Sequence, residues 1–226
     1  MLNPAYCPLA ERVRTVSARL KQAEDKTGQR VIYAPHITTT PEHLLDNAHI
    51  ALENGASALM INFFAAGFNS LHTLRTQIDR HVPIYAHCGG KEAFGRAPGQ
   101  GVDPVAVARF VRLLGGDIFR VSTVGGYLVG SDVKDVKALA SVMAEPMEGI
   151  KPLMPAVSGG LNPKTLAPNL EVFGVNALML AGTGITQHPL GAQAGTTALR
   201  QAADAFRGGV SVAEYAATHE ELRLAL

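Results

Sequence analysis

Two glycine clusters, Ser158-Gly159-Gly160 and Gly182-Thr183-Gly184, are the strongest chemical signal in the sequence. Where side chains are absent or small, backbone N–H groups can approach an anion closely, which suits phosphate. The loops after strands seven and eight of a (β/α)8 barrel are a recurrent phosphate site of that fold. The bland alternative is that these glycines only turn the chain into the following helices. His87 ends the run PIYAH, and Lys91 follows it beyond Gly89 and Gly90. An imidazole with an ordinary pKa of about 6.5 suits proton transfer. Lys91 in such a loop could neutralise phosphate or enolate charge. A buried histidine bonded to backbone and a surface lysine are the structural alternatives. Arg120 lies inside IFRVS, where a charge must be paired or sit at a mouth. Its guanidinium fits a phosphate or carboxylate bidentately, and fits an internal salt bridge equally well. His36 and Asn62 are weaker candidates of the same kind, and His188, in QHPLG, reads as a brace for the last long helix.

The elements that must position these residues alternate. RVIYAP (Arg30–Pro35), ALMINFF (Ala58–Phe64), PIYAH, IFRVS, PLMPAVSGG and ALMLAGTG read as strands, about six in all. Between them run helical patterns: PEHLLDNAHIALENG with Thr40 as N-cap, a short stretch around Ser70 to His81, PVAVARFVRLLGG, SDVKDVKALASVMAE and NPKTLAPNLEVFG. A helix, PLAERVRTVSARLKQAEDKTG, opens the chain; a long pattern from Gly191 to Arg207 and VAEYAATHEELRLAL close it. Strands alternating with helices predict parallel crossovers and an α/β fold, and continuous apolar strands predict a sheet covered on both faces. No linker divides the chain, so one domain over residues 1–226 is expected. Six strands fit an open doubly wound sheet or a barrel without its first two strands.

Composition narrows the function classes. The chain has 226 residues, 47% apolar and 17% charged, which excludes a disordered segment. A formal net charge of +1, 6% aromatics and no Trp argue against a nucleic-acid or anionic-membrane partner. The apolar stretch around Ala58 to Phe68 contains Asn62 and is too short to span a bilayer. MLNPAYCPLA lacks the blocks of a signal peptide, and Cys7 and Cys88 form neither a disulfide framework nor a metal motif. A reducing cytoplasm is the expected compartment. GVDPVAVARF is not a dinucleotide fingerprint, AGTGITQHP lacks the lysine of a P-loop, and there is no GxSxG elbow.

LLGGDIFRVSTVGGYLVG, PAVSGGLNPKTLAPNLEVFG and LAGTGITQHPLGAQAGTTALRQA, with IYAHCGGKEAFGR and YAPHITTTPEHLLDNA upstream, resemble the barrel domain of the RuBisCO superfamily over almost the whole chain. The resemblance implies a partial (β/α)8 barrel of strands three to eight. It places the family's strand-one lysine, its Lys-x-Asp-Glu Mg²⁺ motif and its N-terminal domain before Met1, so Mg²⁺ ligands are expected upstream and none within this chain. It sets His87 on the strand-five histidine, a proton-transfer and substrate-contact group. Ser158, Gly159 and Gly160 fall on the strand-seven substrate and phosphate motif. Thr183 and Gly184 fall on the strand-eight glycines, beside Gly182, with Thr183 a mild departure. Three positions depart from the carboxylases: Cys88 replaces an arginine, Arg120 a histidine, and Tyr127 the mobile-loop lysine.

A tyrosine supplies no fixed cation for a new carboxylate, so the resemblance points to RuBisCO-like proteins rather than carboxylases. It implies Mg²⁺-enolate chemistry on a substrate with one phosphate: decarboxylation of a 3-keto sugar-acid phosphate, or tautomerisation or isomerisation of a ketose phosphate. A homodimer or higher homo-oligomer is expected of the full-length protein. Two other readings stand beside it: a catalytically incomplete fragment with at most weak phosphate binding, and a Schiff-base aldolase using Lys91.

Overall fold

The computed structural model describes residues 4–94, 101–128, 130 and 132–226. Gly95 and Arg96 of IYAHCGGKEAFGR, Val129 of TVGGYLVG and Ser131 before the sixth helix lie outside the described residues. In chain order the elements are α1 (Leu9–Thr27), a 3₁₀ turn (Pro41–His43) leading into α2 (Leu44–Glu53), β1 (Leu59–Asn62), α3 (Phe63–Ala66), α4 (Phe68–Gln77), β2 (Ile84–His87), a 3₁₀ turn (Lys91–Phe94) and α5 (Pro104–Leu113). They continue with β3 (Ile118–Ser122), α6 (Val133–Ala144), β4 (Met154–Ser158), α7 (Pro163–Phe173), β5 (Leu178–Met179), α8 (Thr183–Thr186), α9 (Gly191–Arg207), α10 (Val212–Ala216) and α11 (Glu220–Ala225). The fold is α/β, with a five-stranded sheet in the order β1-β2-β3-β4-β5.

The backbone groups into two compact units, Met1–Phe119 with Pro146–Leu153, and Arg120–Glu145 with Met154–Leu226. In the first, β1 and β2 pair in parallel with Leu59 opposite Ile84 and Asn62 opposite His87. Tyr85 and Ala86 pair with Ile118 and Phe119 at the start of β3. Leu59, Ile61, Ile84, Ala86, Phe63, Leu71, Leu74 and Phe119 are buried around this sheet. At its lower end Asp117 accepts from Arg75 and from the Ile84 N–H, and Arg75 Nε donates to the Gly115 carbonyl, so one guanidinium fixes the start of two strands.

Arg30–Pro35, expected as a strand, is not one; only His36 bridges to β1, opposite Met60. The segment does run beside β1, since the Tyr33 carbonyl accepts from Ser57 and Ala58 and the Pro35 carbonyl from Met60. Its own donors are spent elsewhere. The Val31 N–H goes to the Glu24 carboxylate, the Tyr33 N–H goes to the Ser57 hydroxyl, and Pro35 has none. Thr40 takes the extended N-cap conformation without making the cap bond. Its hydroxyl binds the Glu42 carboxylate instead and holds it below the usual carboxylate range.

In the second unit, Ala156 and Val157 of β4 pair with Leu178 and Met179 of β5, and the Leu180 N–H continues the ladder to the Val157 carbonyl. β5 is shorter than ALMLAGTG predicted, because the chain bends at Gly182 (φ −106°, ψ −83°) into α8. Burial on both faces holds for β3 but fails for β5, whose two residues are half-buried. Leu161, Leu166, Ala202, Ala216 and Leu222 form a buried cluster beneath α7, α9 and α11. His188 closes it: Nδ1 accepts from the Leu190 N–H at the start of α9, and Nε2 donates to the Glu221 carbonyl.

Candidate functional site

In the second unit, Arg120 stands mid-strand in β3 with only 8% of its surface exposed. Its Nε donates to Ser158 Oγ, the last side chain of β4, over 2.9 Å. The Ser158 carbonyl accepts from the Thr123 N–H, which ties the ends of β3 and β4 together. Gly159 and Gly160 follow with φ of 96° and 98°, a region that side-chain-bearing residues rarely adopt. They are also tightly enclosed. A Cβ on Gly159 would overlap Leu128 Cδ1 and lie 3.6 Å from Arg120 Nη2, and one on Gly160 would lie 3.2 Å from the Tyr127 ring. Gly126 packs on the glycine pair backbone to backbone, and the Tyr127 and Leu128 side chains cover it.

Asn162 holds the far side of this bend. Its Oδ1 accepts from the Lys164 and Thr165 N–H groups, and its Nδ2 donates to the Gly160 carbonyl. The first-turn amides of α7 are thus engaged by the helix's own cap, Pro163 having none to offer. One residue of the second glycine cluster, Gly184, packs on the chain just after the first. A Cβ on Gly184 would overlap the Leu161 carbonyl and lie 3.0 Å from Asn162 Cβ. Gly182 caps α8, Thr183 is exposed and Gly184 is half-buried. Arg120, Ser158 and Gly159 are therefore brought together, Gly184 packs on the chain just after Gly160, and Gly182 and Thr183 are exposed.

In the first unit, Asn62 and His87 end the paired strands β1 and β2 side by side. The Gly89 N–H donates to His87 Nδ1 (3.1 Å), and the Gly89 carbonyl accepts from Asn62 Nδ2 (3.0 Å). Asn62 Oδ1 accepts from the Phe64 N–H, which fixes which end of the amide faces Gly89. The His36 ring lies edge-on to His87, centroids 5.9 Å apart, with Nε2 2.9 Å from Thr38 Oγ1. Burial first, then the His87 and Arg12 charges, push His36 down to about 4, so it is neutral at physiological pH. Lys91 opens the second 3₁₀ turn, half-buried, its N–H on the Cys88 carbonyl. Thr38 and Gly89 were not singled out in the sequence. Thr38 lies two residues after His36 in an extended segment, hence on the same side, and that spacing was the available signal.

Mg²⁺ takes oxygen ligands, chiefly carboxylates and water, in near-octahedral geometry. Among the described residues no three His, Cys, Asp or Glu side chains converge. The side chains gathered at these strand ends are imidazoles, an amide, hydroxyls and a guanidinium, a set that does not fit Mg²⁺. Among the same residues no helix is long and apolar enough to cross a membrane.

Comparison with known proteins places this geometry. A family profile described as the ribulose bisphosphate carboxylase large chain, catalytic domain, matches residues 1–226. A ribulose bisphosphate carboxylase of Methanosarcina acetivorans is 37% identical over 222 residues, covering 91% of this chain and 52% of that protein. The octameric Rubisco of Pyrococcus horikoshii superposes with a TM-score of 0.91 at 29% identity, covering 100% of this chain and 54% of its own. A rubisco-like protein from Burkholderia fungorum does so at 0.91 and 30%, covering 100% and 56%. The chain spans about half the length of the curated relatives it matches. With an α/β fold of parallel strands that superposes on part of their (β/α)8 barrel, the chain belongs to the RuBisCO large-chain catalytic-domain family.

Proposed function

We propose that this chain serves a RuBisCO-like enolate reaction on a phosphorylated sugar or sugar-acid, and not CO₂ fixation. The observation that carries the reading is the buried Arg120 guanidinium, bonded to Ser158 and lying beside Gly159. A fixed cation beside glycines that carry no side chain suits one phosphate group, whose entry requires the Leu128 side chain that covers Gly159 to move aside. In this reading Ser158, Gly159, Gly160, Gly182, Thr183 and Gly184 hold the phosphate in the second unit. In the first unit His87 handles the proton and Lys91 offsets the developing negative charge. The Tyr127 ring lies over Gly160 where the resemblance sets a carboxylase lysine, and a phenol gives a new carboxylate no fixed cation.

Two reaction classes follow from those groups. In decarboxylation of a 3-keto sugar-acid phosphate, the C–C bond to the carboxylate breaks, its electron pair enters the enolate, CO₂ leaves and a proton returns to carbon. In tautomerisation, a proton leaves the carbon beside the ketone and returns at its neighbour. The test is a screen of 3-keto sugar-acid phosphates and ketose phosphates for CO₂ release and for solvent-deuterium incorporation. On an accepted substrate, His87→Ala should lower kcat/KM by about 100-fold or more; wild-type kcat/KM would remove His87 from its role.

A second reading, weak phosphate binding without turnover, is supported by the lack, among the described residues, of a carboxylate group that could hold Mg²⁺. Calorimetry with inorganic phosphate addresses it: Arg120→Gln should weaken binding by about tenfold or more, the worth of a hydrogen bond to a charged group. Turnover by this chain would overturn the second reading.

A further inference from the structure

We infer that Asn62 is a positioning residue that fixes the tautomer of His87 through Gly89, whose carbonyl and N–H belong to successive peptide groups. The chain of bonds is short and directional. Asn62 Oδ1 is taken by the Phe64 N–H, so Nδ2 faces the Gly89 carbonyl at 3.0 Å. That bond orients the Gly89 residue so that its N–H points back at His87 Nδ1, 3.1 Å away. A nitrogen that accepts cannot carry the proton, so neutral His87 holds its hydrogen on Nε2. Gly89 is the residue that permits this closeness. A Cβ there would lie 2.9 Å from His87 Cε1 and 3.1 Å from Asn62 Nδ2.

The register of the sheet places the three groups together. Asn62 and His87 are paired positions at the ends of adjacent parallel strands, and the chain doubles back at Gly89 and Gly90 to reach both. His36, edge-on to His87 at 5.9 Å, stays neutral and adds no charge that would compete for the Nδ1 position. The inference deepens the enolate reading, since it states which imidazole nitrogen presents the proton. Its test needs no substrate, so the two can fail separately.

The test is nitrogen NMR of the histidine-labelled chain at a pH where His87 is neutral, with His87 assigned by its loss in His87→Gln. In the wild type, His87 should show one tautomer, with a protonated Nε2 and an acceptor Nδ1. Asn62→Ser keeps a hydroxyl to accept from the Phe64 N–H and so keeps the α3 cap, but it removes the donor to Gly89; His87 should become a mixture of tautomers. Gly89→Ala, which drives a methyl into the imidazole, should do the same. Circular dichroism and melting of both variants confirm that the fold is retained. A wild-type mixture, or a single unchanged tautomer in both variants, overturns the inference.

Discussion

His36 shows how a single side chain ties stability to pH. It is half-buried beside His87 and under the influence of Arg12, which favours its neutral form and sets its folded pKa at about 4. In the unfolded chain an imidazole titrates near 6.5, so between those values the unfolded state binds more protons than the folded one. Stability therefore is fully present above about pH 6.5 and is lost as pH falls toward 4. The full shift would correspond to about 3 kcal/mol, and solvent screening of a half-exposed ring reduces this to on the order of 1 kcal/mol. Urea titrations from pH 7.5 to 4 should show the midpoint falling through that window. His36→Asn should flatten the slope relative to the other histidines; an unaltered slope would show that His36 does not carry it.

Among the elements, α7 is the one that sets the shape of the β3–α6 connection. Asn169, fully buried on α7, accepts from the Val124 N–H and donates to the Val124 carbonyl and to the Thr165 carbonyl. One amide thus satisfies both backbone groups of Val124, two residues before the Gly126–Leu128 bend that packs on Gly159 and Gly160. Asn169→Ala leaves both Val124 groups buried without this partner and should cost about 2–6 kcal/mol, since each orphaned group loses about 1–3 kcal/mol. Denaturant unfolding measures that loss, and a change below about 0.5 kcal/mol would remove the clamp. Asn169 was invisible in the sequence, because an asparagine in an amphipathic helix carries no sign of a partner 45 residues away. The strands IFRVS and PIYAH and the helix from Gly191 to Arg207 were legible, since apolar period and capping residues are local. Arg30–Pro35 misled for the opposite reason: its β-branched residues favour a strand, but its donors are captured by Glu24 and Ser57, which composition does not reveal. For the candidate site, His87 and the glycine clusters were readable from their place at strand ends. The Asn62–Gly89–His87 linkage depends on the register of two strands, and the covering of Gly159 by Leu128 on packing between segments distant in the chain.

At the scale of the whole molecule, the exposed flank of the sheet governs behaviour in solution. The segment beside β1 presents Val31 and Ile32 at 43% and 62% exposure, next to backbone that is only partly paired. Such an edge, apolar at Val31 and Ile32 and only partly paired, is a template for another chain. The purified chain should accordingly self-associate in the micromolar range, read as concentration-dependent mass by sedimentation or light scattering. Val31→Lys with Ile32→Lys places two charges on that edge while leaving the Val31 N–H bond to Glu24 available, because the bond is made by backbone. The double variant should shift the population toward monomer with the melting transition preserved. A wild-type chain that is monodisperse and monomeric across the concentration range would refute the edge as an adhesive surface. Association unchanged in the double variant would assign the adhesion to another surface, such as the exposed Phe94 and Phe110 that adjoin Phe64 and Phe68.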